Sequence, residues 1–152
     1  MNILFLCTGN TCRSPIAEFL LKDLIQKEGL EDKVNVSSAG LATANGLEIS
    51  KYSLLALKER KIDAKAHKSI MVTKEDLLNS DLILTMTIAH KEKIINFDMS
   101  LKNKIYTLKE YLNRKDLDIK DPFLKDFEVY KSTRDEIEKL IIELFEKIKN
   151  NL

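Results

Sequence analysis

The stretch Cys7-Thr8-Gly9-Asn10-Thr11-Cys12-Arg13-Ser14 decides the fold, because it joins two segments of opposite character. Before it, residues 2–6 (NILFL) form a short apolar run that is typical of a buried strand in a parallel sheet. After it, Ser14 is a good helix N-cap, Pro15 suits the first helical position, and apolar residues then recur at helical spacing. The sequence therefore predicts a turn that leads from a strand into a helix.

A turn of this kind is a ready anion site, because its backbone N–H groups and the positive end of the helix dipole point at whatever lies above it. Cys7 opens the turn and Arg13 closes it. Beside amides and a cation, the Cys7 thiol is expected to have a lowered pKa, in the range of ~3.5–7.5, and to act as a nucleophile. The planar fork of Arg13 can hold two oxygens of a tetrahedral oxyanion. The spacing predicts a phosphate trap with a nucleophile at its floor.

Three other interpretations of the cysteines are possible. A cysteine that ends a buried strand is often a small apolar core residue, but that role does not explain the polar residues that follow. Cys7 and Cys12 could be half of a metal site, yet a structural zinc needs four ligands and only His67 and His90 remain as further typical ones. Neither glycine-rich nucleotide-binding motif is present. We therefore predict no metal and no cofactor.

Residues 7–18 (CTGNTCRSPIAE) resemble the signature loop of the low-molecular-weight protein tyrosine phosphatase family, and in particular the bacterial branch that contains protein arginine phosphatases. A loop motif at the start of the chain, paired with Asp-Pro-aromatic near residue 120, is highly specific. Further matches extend along nearly the whole chain: residues 37–40 (SSAG), His67, residues 81–86 (DLILTM), residues 106–111 (YTLKEY) and residues 121–123 (DPF).

The fold class follows from the alternation of predicted strands and helices, which favours an α/β sandwich with a mostly parallel sheet. The resemblance implies the fuller form: a three-layer sandwich with a central four-stranded parallel sheet flanked by helices, and the phosphate loop after strand one. At 152 residues the chain is expected to form a single phosphatase domain, residues 1–152.

The resemblance assigns roles to residues on and around the loop. Ser38 follows a short predicted strand and should reach the sheet edge that also carries Cys7, which is where open α/β sheets bind ligands. A lone histidine is usually structural, and the resemblance implies that His67 and Ser38 support the loop through hydrogen bonds. The predicted phosphate-binding loop itself comprises Thr8, Gly9, Asn10, Thr11, Cys12 and Ser14.

The general acid is expected from a polar segment that contains Asp116, Asp118 and Asp121. Pro122 disfavours the helical conformation for Asp121, so its carboxyl can project from an extended backbone. We therefore predict that Asp121 is the acid, and that Phe123 forms an aromatic wall beside the cleft. Many members of the family have glycine soon after Asp-Pro-aromatic, whereas this chain continues with residues 124–126 (LKD).

The predicted chemistry is a two-step hydrolysis through a phosphocysteine. Cys7 attacks phosphorus, Arg13 and the loop amides hold the oxygens, and Asp121 protonates the leaving atom. Threonine at position 11 resembles the arginine-directed relatives, whereas tyrosine-directed relatives tend to carry isoleucine, so Thr11 and Phe123 are predicted to set specificity for protein phosphoarginine. A protein tyrosine phosphatase is the main alternative.

Two more distant alternatives are weaker. Arsenate reductases share the loop, but their chemistry passes the oxidised state to further cysteines, and none follows Cys12. A non-catalytic phosphopeptide-binding module would need neither the thiolate nor the acid. Cys12 is instead predicted to be a redox partner that captures oxidised Cys7 as a disulfide.

Composition and charge constrain the setting. The net charge is +1, so nothing favours nucleic acid or an acidic membrane surface as a partner. No export signal and no long apolar run occurs, and two cysteines in one loop fit a reducing compartment. We expect a monomeric cytoplasmic protein whose partner is a phosphorylated protein.

Overall fold

The computed structural model describes residues 1–152. Its centre is a four-stranded parallel sheet with the order β2-β1-β3-β4, made of β1 (Asn2–Cys7), β2 (Asn35–Gly40), β3 (Leu82–Thr85) and β4 (Ile105–Thr107). The helices are α1 (Arg13–Lys27), α2 (Lys51–Lys58), α3 (Lys74–Asn79), α4 (Ile88–Phe97), α5 (Leu108–Tyr111) and α6 (Phe127–Lys149), with a 3₁₀ turn at Met99–Asn103. The predicted α/β fold with four parallel strands is confirmed.

Helices cover both faces of the sheet, so the molecule has three layers. Because successive strand residues point to opposite faces, Ile3, Phe5 and Cys7 of β1 enter the larger core, together with residues of α1 and α6. Leu4 and Leu6 enter the smaller core with residues of α3 and α4. All of β1 after its first residue is buried, as expected for a central parallel strand. The strand therefore delivers Cys7 to a fixed place at the carboxyl edge of the sheet.

The start of α1 differs from the prediction. The helix begins at Arg13 with Cys12 as the N-cap residue, and no side chain caps it. Ser14 lies inside the first turn, and its hydroxyl contacts the Cys7 sulfur at 2.9 Å instead of capping. The prediction that Ser14 is the N-cap was wrong, because the Ser14 hydroxyl contacts Cys7 at the other end of the loop and does not cap the helix.

Close packing at Gly40, the last residue of β2, brings the second strand against the loop. A Cβ at this position would lie 2.8 Å from the Thr8 carbonyl oxygen and 3.2 Å from the Asn10 Cβ. A side chain here would displace the loop backbone, so glycine is required by space and not by its dihedral angles. None of the helices combines the length and apolarity needed to cross a membrane.

Candidate active site

A small pocket of about 150 Å³ lies at the carboxyl edge of the sheet. Most of the predicted site residues line it, and they come from the loop after β1 and from the segment before α6. The lining residues are Cys7, Thr8, Gly9, Thr11, Cys12, Arg13, Asp121 and Phe123. The structure thus brings together residues more than a hundred positions apart in the sequence.

Cys7 is buried at the floor of this pocket. Its sulfur accepts a hydrogen bond from the Asn10 amide N–H at 3.2 Å and lies 2.9 Å from the Ser14 hydroxyl. Burial raises the pKa of the Cys7 thiol, while hydrogen bonds from Ser14 and Asn10 and the charge of Arg13 act to lower it. The lowered pKa predicted from the sequence is not reproduced, because that prediction counted the donors and the cation but not the loss of water around the sulfur.

Asn10 holds the loop in shape. Its backbone has φ of 55°, a left-handed conformation that asparagine tolerates better than most residues. Its amide nitrogen donates to the hydroxyls of Ser14 at 2.9 Å and Ser38 at 2.8 Å, and its amide oxygen accepts from the Ile70 N–H at 3.0 Å. Since the Ser14 oxygen accepts from Asn10, its hydrogen remains available to the Cys7 sulfur.

The two predicted support residues outside the loop, Ser38 and His67, both contact this network. His67 Nε2 donates to the Asn10 carbonyl oxygen at 2.7 Å, which fixes the proton on Nε2. The Ser38 hydroxyl donates to the Glu18 carboxylate at 2.5 Å. Glu18 is buried and also pairs with Lys22, so the network ends on a compensated charge. The sequence analysis assigned no role to Glu18, although it closes the quoted motif.

Arg13 is almost fully buried, with 5% of its side chain exposed. One guanidinium nitrogen donates to the Ile119 carbonyl oxygen at 2.8 Å, and another lies 3.4 Å from Asp121 Oδ2. These contacts fix the guanidinium of Arg13, which lines the same pocket as Cys7. A phosphoryl group in the pocket would meet N–H donors on a guanidinium whose position is already fixed.

Of the three candidate carboxylates, only Asp121 lines the pocket. Asp118 accepts a hydrogen bond from the Ile88 N–H at the start of α4, at 2.8 Å, and Asp116 pairs with Lys109 at 3.1 Å. Asp121 accepts from the Phe123 N–H at 3.1 Å, so the turn around Pro122 presents its carboxyl to the pocket. The other two aspartates are occupied as anchors of the segment.

The segment after Asp121 leaves the pocket through a tight turn. Phe123 is 58% exposed and forms one wall of the opening. Leu124 has φ of 64°, a left-handed conformation in which a glycine would be less strained. The chain therefore has leucine at a turn where glycine would be less strained. The turn still forms, and the Lys125 N–H donates to the Pro122 carbonyl oxygen at 2.9 Å.

Cys12 lies on the wall of the pocket and is a free thiol, like Cys7. Its sulfur is 3.5 Å from the Tyr130 hydroxyl on α6. Burial and the hydrogen bond with Cys12 raise the pKa of Tyr130, so the phenol stays protonated at neutral pH. Thr11, which precedes Cys12, is partly exposed at the same wall.

His90 is a residue near the pocket that sequence reasoning considered only as a possible metal ligand. Its Nε2 lies 2.9 Å from the Thr8 hydroxyl, and its Nδ1 is buried without a partner. Burial and the charge of Arg13 lower the pKa of His90 to about 4, so the ring is neutral at pH 7. No group of three or more His, Cys, Asp or Glu side chains could hold a metal ion. Only the fold reveals the contact with Thr8.

A buried thiol beneath a loop of amides, beside a fixed guanidinium and a carboxyl, defines the class of cysteine-dependent phosphatases. Residues 2–152 match the model of the family described as low molecular weight phosphotyrosine protein phosphatase. The chain belongs to this family.

Similar proteins carry two kinds of name. A protein-arginine-phosphatase of Bacillus subtilis is 41% identical over 99% of this chain and 99% of its own. A low molecular weight protein-tyrosine-phosphatase, PtpB, of Staphylococcus epidermidis is 37% identical over 93% of this chain and 94% of its own. A structure of the YwlE arginine phosphatase, a mutant with a phosphorylated active-site serine, has a TM-score of 0.92 and 40% identity, covering 98% of this chain and 96% of that one.

Proposed function

We propose that this phosphatase hydrolyses phosphoarginine on proteins through a phosphocysteine at Cys7. The observation that carries the proposal is the arrangement of the pocket: a thiol at the floor, a buried guanidinium 3.4 Å from the Asp121 carboxyl, and Thr11 at the wall. The relative named as an arginine phosphatase and the phosphorylated active-site serine of the mutant structure support it.

In the first step, Cys7 attacks as the thiolate after its proton has passed to solvent. A sulfur–phosphorus bond forms while the bond from phosphorus to the substrate nitrogen breaks. Asp121, as the protonated carboxyl, gives its proton to the departing nitrogen and becomes the carboxylate. Arg13 and the loop amides hold the three phosphoryl oxygens, where charge accumulates in the transition state.

In the second step, water attacks the phosphocysteine. The Asp121 carboxylate takes a proton from this water, which restores the carboxyl, and the sulfur–phosphorus bond breaks to release inorganic phosphate. The Ser14 hydroxyl, 2.9 Å from the sulfur, stabilises the departing thiolate. The Asn10 amide supports it in the same way at 3.2 Å. Every group in the cycle returns to its starting state without a cofactor.

The preference for phosphoarginine rests on the walls of the pocket. Thr11 offers a hydroxyl and little apolar surface, which suits a polar guanidinium better than a flat phenol ring, because a desolvated polar group without a partner is costly. Phe123 presents an exposed ring on which a guanidinium plane can stack. The Asp121 carboxylate attracts the cationic product.

The experiment that tests the proposal compares kcat/KM on matched peptides that carry phosphoarginine or phosphotyrosine. We expect a higher kcat/KM on phosphoarginine. An equal or higher value on phosphotyrosine would overturn the substrate preference and favour a tyrosine phosphatase, the name of the Staphylococcus relative. That outcome would leave the phosphatase activity standing.

Thr11→Ile is expected to move the preference toward phosphotyrosine. The larger apolar side chain removes a hydrogen-bonding group and adds a surface that packs on an aromatic ring, so the ratio of the two kcat/KM values should change by about 10- to 200-fold. Thr11→Val is the matched control, because it removes the hydroxyl with almost no change in shape. If neither variant changes the ratio, Thr11 has no part in specificity.

We also propose that Cys12 protects Cys7 from oxidation. Peroxide converts the Cys7 thiolate to a sulfenic acid, and attack by the Cys12 sulfur then forms a disulfide and releases water. Both thiols line the same small pocket. After peroxide treatment, wild type should regain activity with a thiol reductant, whereas Cys12→Ser should regain much less because Cys7 is oxidised further. Equal recovery of the two proteins would limit Cys12 to packing.

The domain organisation, oligomeric state, compartment and partners predicted from the sequence are part of the proposal. We propose that residues 1–152 form one phosphatase domain that acts as a monomer in the cytoplasm on phosphorylated proteins, without nucleic acid or membrane partners. The family model spans residues 2–152, which supports a single domain. Light scattering on the purified protein would test the monomer, since a dimer gives twice the mass.

A further inference from the structure

Lys109 on α5 is a buried lysine with every ammonium donor occupied. Only 7% of the residue is exposed. Its Nζ donates to Asp116 Oδ2 at 3.1 Å and to the Asp118 carbonyl oxygen at 2.8 Å, and it lies 3.0 Å from Glu136 Oε2 on α6. Burial alone lowers the pKa of Lys109, but Glu136 and Asp116 raise it above its usual value, so the side chain stays charged. A fully charged ammonium is therefore held against the segment that leads to Asp121.

The carbonyl that Lys109 binds is close to the pocket along the chain. The next residue, Ile119, donates its N–H to the Met86 carbonyl at 2.9 Å, and its own carbonyl accepts from Arg13 at 2.8 Å. Asp121 follows two residues later. The backbone between Asp118 and Asp121 is thus fixed on one side by Lys109 and on the other by Arg13.

This geometry differs from an ordinary surface ion pair. Lys91 on α4 is also partly buried and binds both oxygens of Glu110, at 2.8 and 3.0 Å, but contacts no part of the segment 116–121. Lys109 instead joins α5 and α6 to the backbone of that segment. Removing its ammonium would leave the Asp118 carbonyl without this donor and two neighbouring carboxylates without their cation.

We propose that Lys109 is a positioning residue for the general acid, which it holds in place by anchoring the backbone before Asp121. The inference rests on the proposed function, in which Asp121 protonates the leaving group. An acid displaced by even about 1 Å transfers its proton poorly, and such displacements can cost about 10²-fold in rate. The loss should fall on substrates that need the proton.

Leaving-group dependence is the readout, because a merely structural role would not move it. We would measure kcat/KM for Lys109→Met on two esters. Phenyl phosphate has a poor leaving group that must be protonated as it departs, whereas the 2,4-dinitrophenolate of 2,4-dinitrophenyl phosphate leaves without a proton. The expected result is a loss on phenyl phosphate at least about 10-fold larger than the loss on the dinitrophenyl ester. Lys91→Met is the matched control and should affect both substrates equally.

Equal losses on the two esters with Lys109→Met, or no loss, would overturn the inference. Should this variant fail to fold, Asp116→Asn combined with Glu136→Gln loosens the same ammonium through two exposed side chains, and it should show the same selectivity to a smaller extent. Equal losses in that variant would also overturn the inference. Asp121→Asn, measured in parallel, separates the role of Asp121 as the acid from the role of Lys109 in positioning it. If Asp121→Asn shows no leaving-group selectivity, the assignment of the acid is wrong. If Asp121→Asn shows selectivity and Lys109→Met does not, only the role of Lys109 is wrong.

Discussion

Cys7→Ser is expected to abolish turnover, with a loss of more than about 10⁴-fold, the scale seen when a nucleophile is removed. A serine hydroxyl is a far weaker acid than a thiol, so almost none of it is ionised at neutral pH. The groups that contact this atom are the Ser14 hydroxyl and the Asn10 amide N–H, which stabilise an anion but are not bases that could take its proton. Release of inorganic phosphate from an aryl phosphate measures the loss.

Cys12→Ser is the control for this experiment, because it makes the same replacement on the wall of the same pocket. It should keep most of its activity under reducing conditions. If Cys7→Ser retains substantial turnover while Cys12→Ser is inactive, the nucleophile has been assigned to the wrong cysteine. Continued turnover by both variants would exclude a phosphocysteine mechanism.

Asp121→Asn is expected to lower kcat/KM by about 10²–10⁴-fold on substrates with poor leaving groups, which is the usual contribution of general acid–base catalysis to the rate. The amide keeps the shape of the side chain and its contact with the Phe123 N–H, but it has no proton to give. Peptide phosphoarginine and phenyl phosphate are suitable substrates. The effect should be small on esters that leave without protonation.

Asp118→Asn is the matched control, three residues away in the same segment. Its carboxylate oxygen accepts a hydrogen bond from the Ile88 N–H, and an amide oxygen can take over that role. We expect near-normal rates. Normal rates in Asp121→Asn with a large loss in Asp118→Asn would reverse the assignment.

Much of the site could be predicted from the sequence, because its central loop is continuous in the chain. Residues 7–14 lie between a strand and a helix whose patterns are both clear, and parallel strands end at one edge, so Ser38 was expected near Cys7. The contacts of Ser38 and His67 with Asn10 needed the family resemblance as well, since a lone serine or histidine has no pattern of its own.

The rest depends on tertiary packing. The pKa of Cys7 is raised by burial, which the identity of its neighbours in sequence does not reveal. Lys109 reads as one more charged residue in a short helix, and only its position between α6 and the segment before Asp121 shows its contacts. Ser14 was misjudged for a related reason: its pattern is that of a cap, but a partner seven residues earlier takes its hydroxyl.

Direct detection of phosphate on Cys7 tests the central claim most sharply. Trypsin would release residues 1–13 as one peptide with both cysteines, so Cys12→Ser is used to leave a single thiol in it. The protein is mixed with phosphoarginine peptide, quenched within milliseconds in acid and analysed by mass spectrometry. The account predicts a phosphate on Cys7 that appears before free phosphate reaches its steady rate and disappears when substrate is exhausted. Steady turnover with no phosphate on this peptide at any time would contradict it.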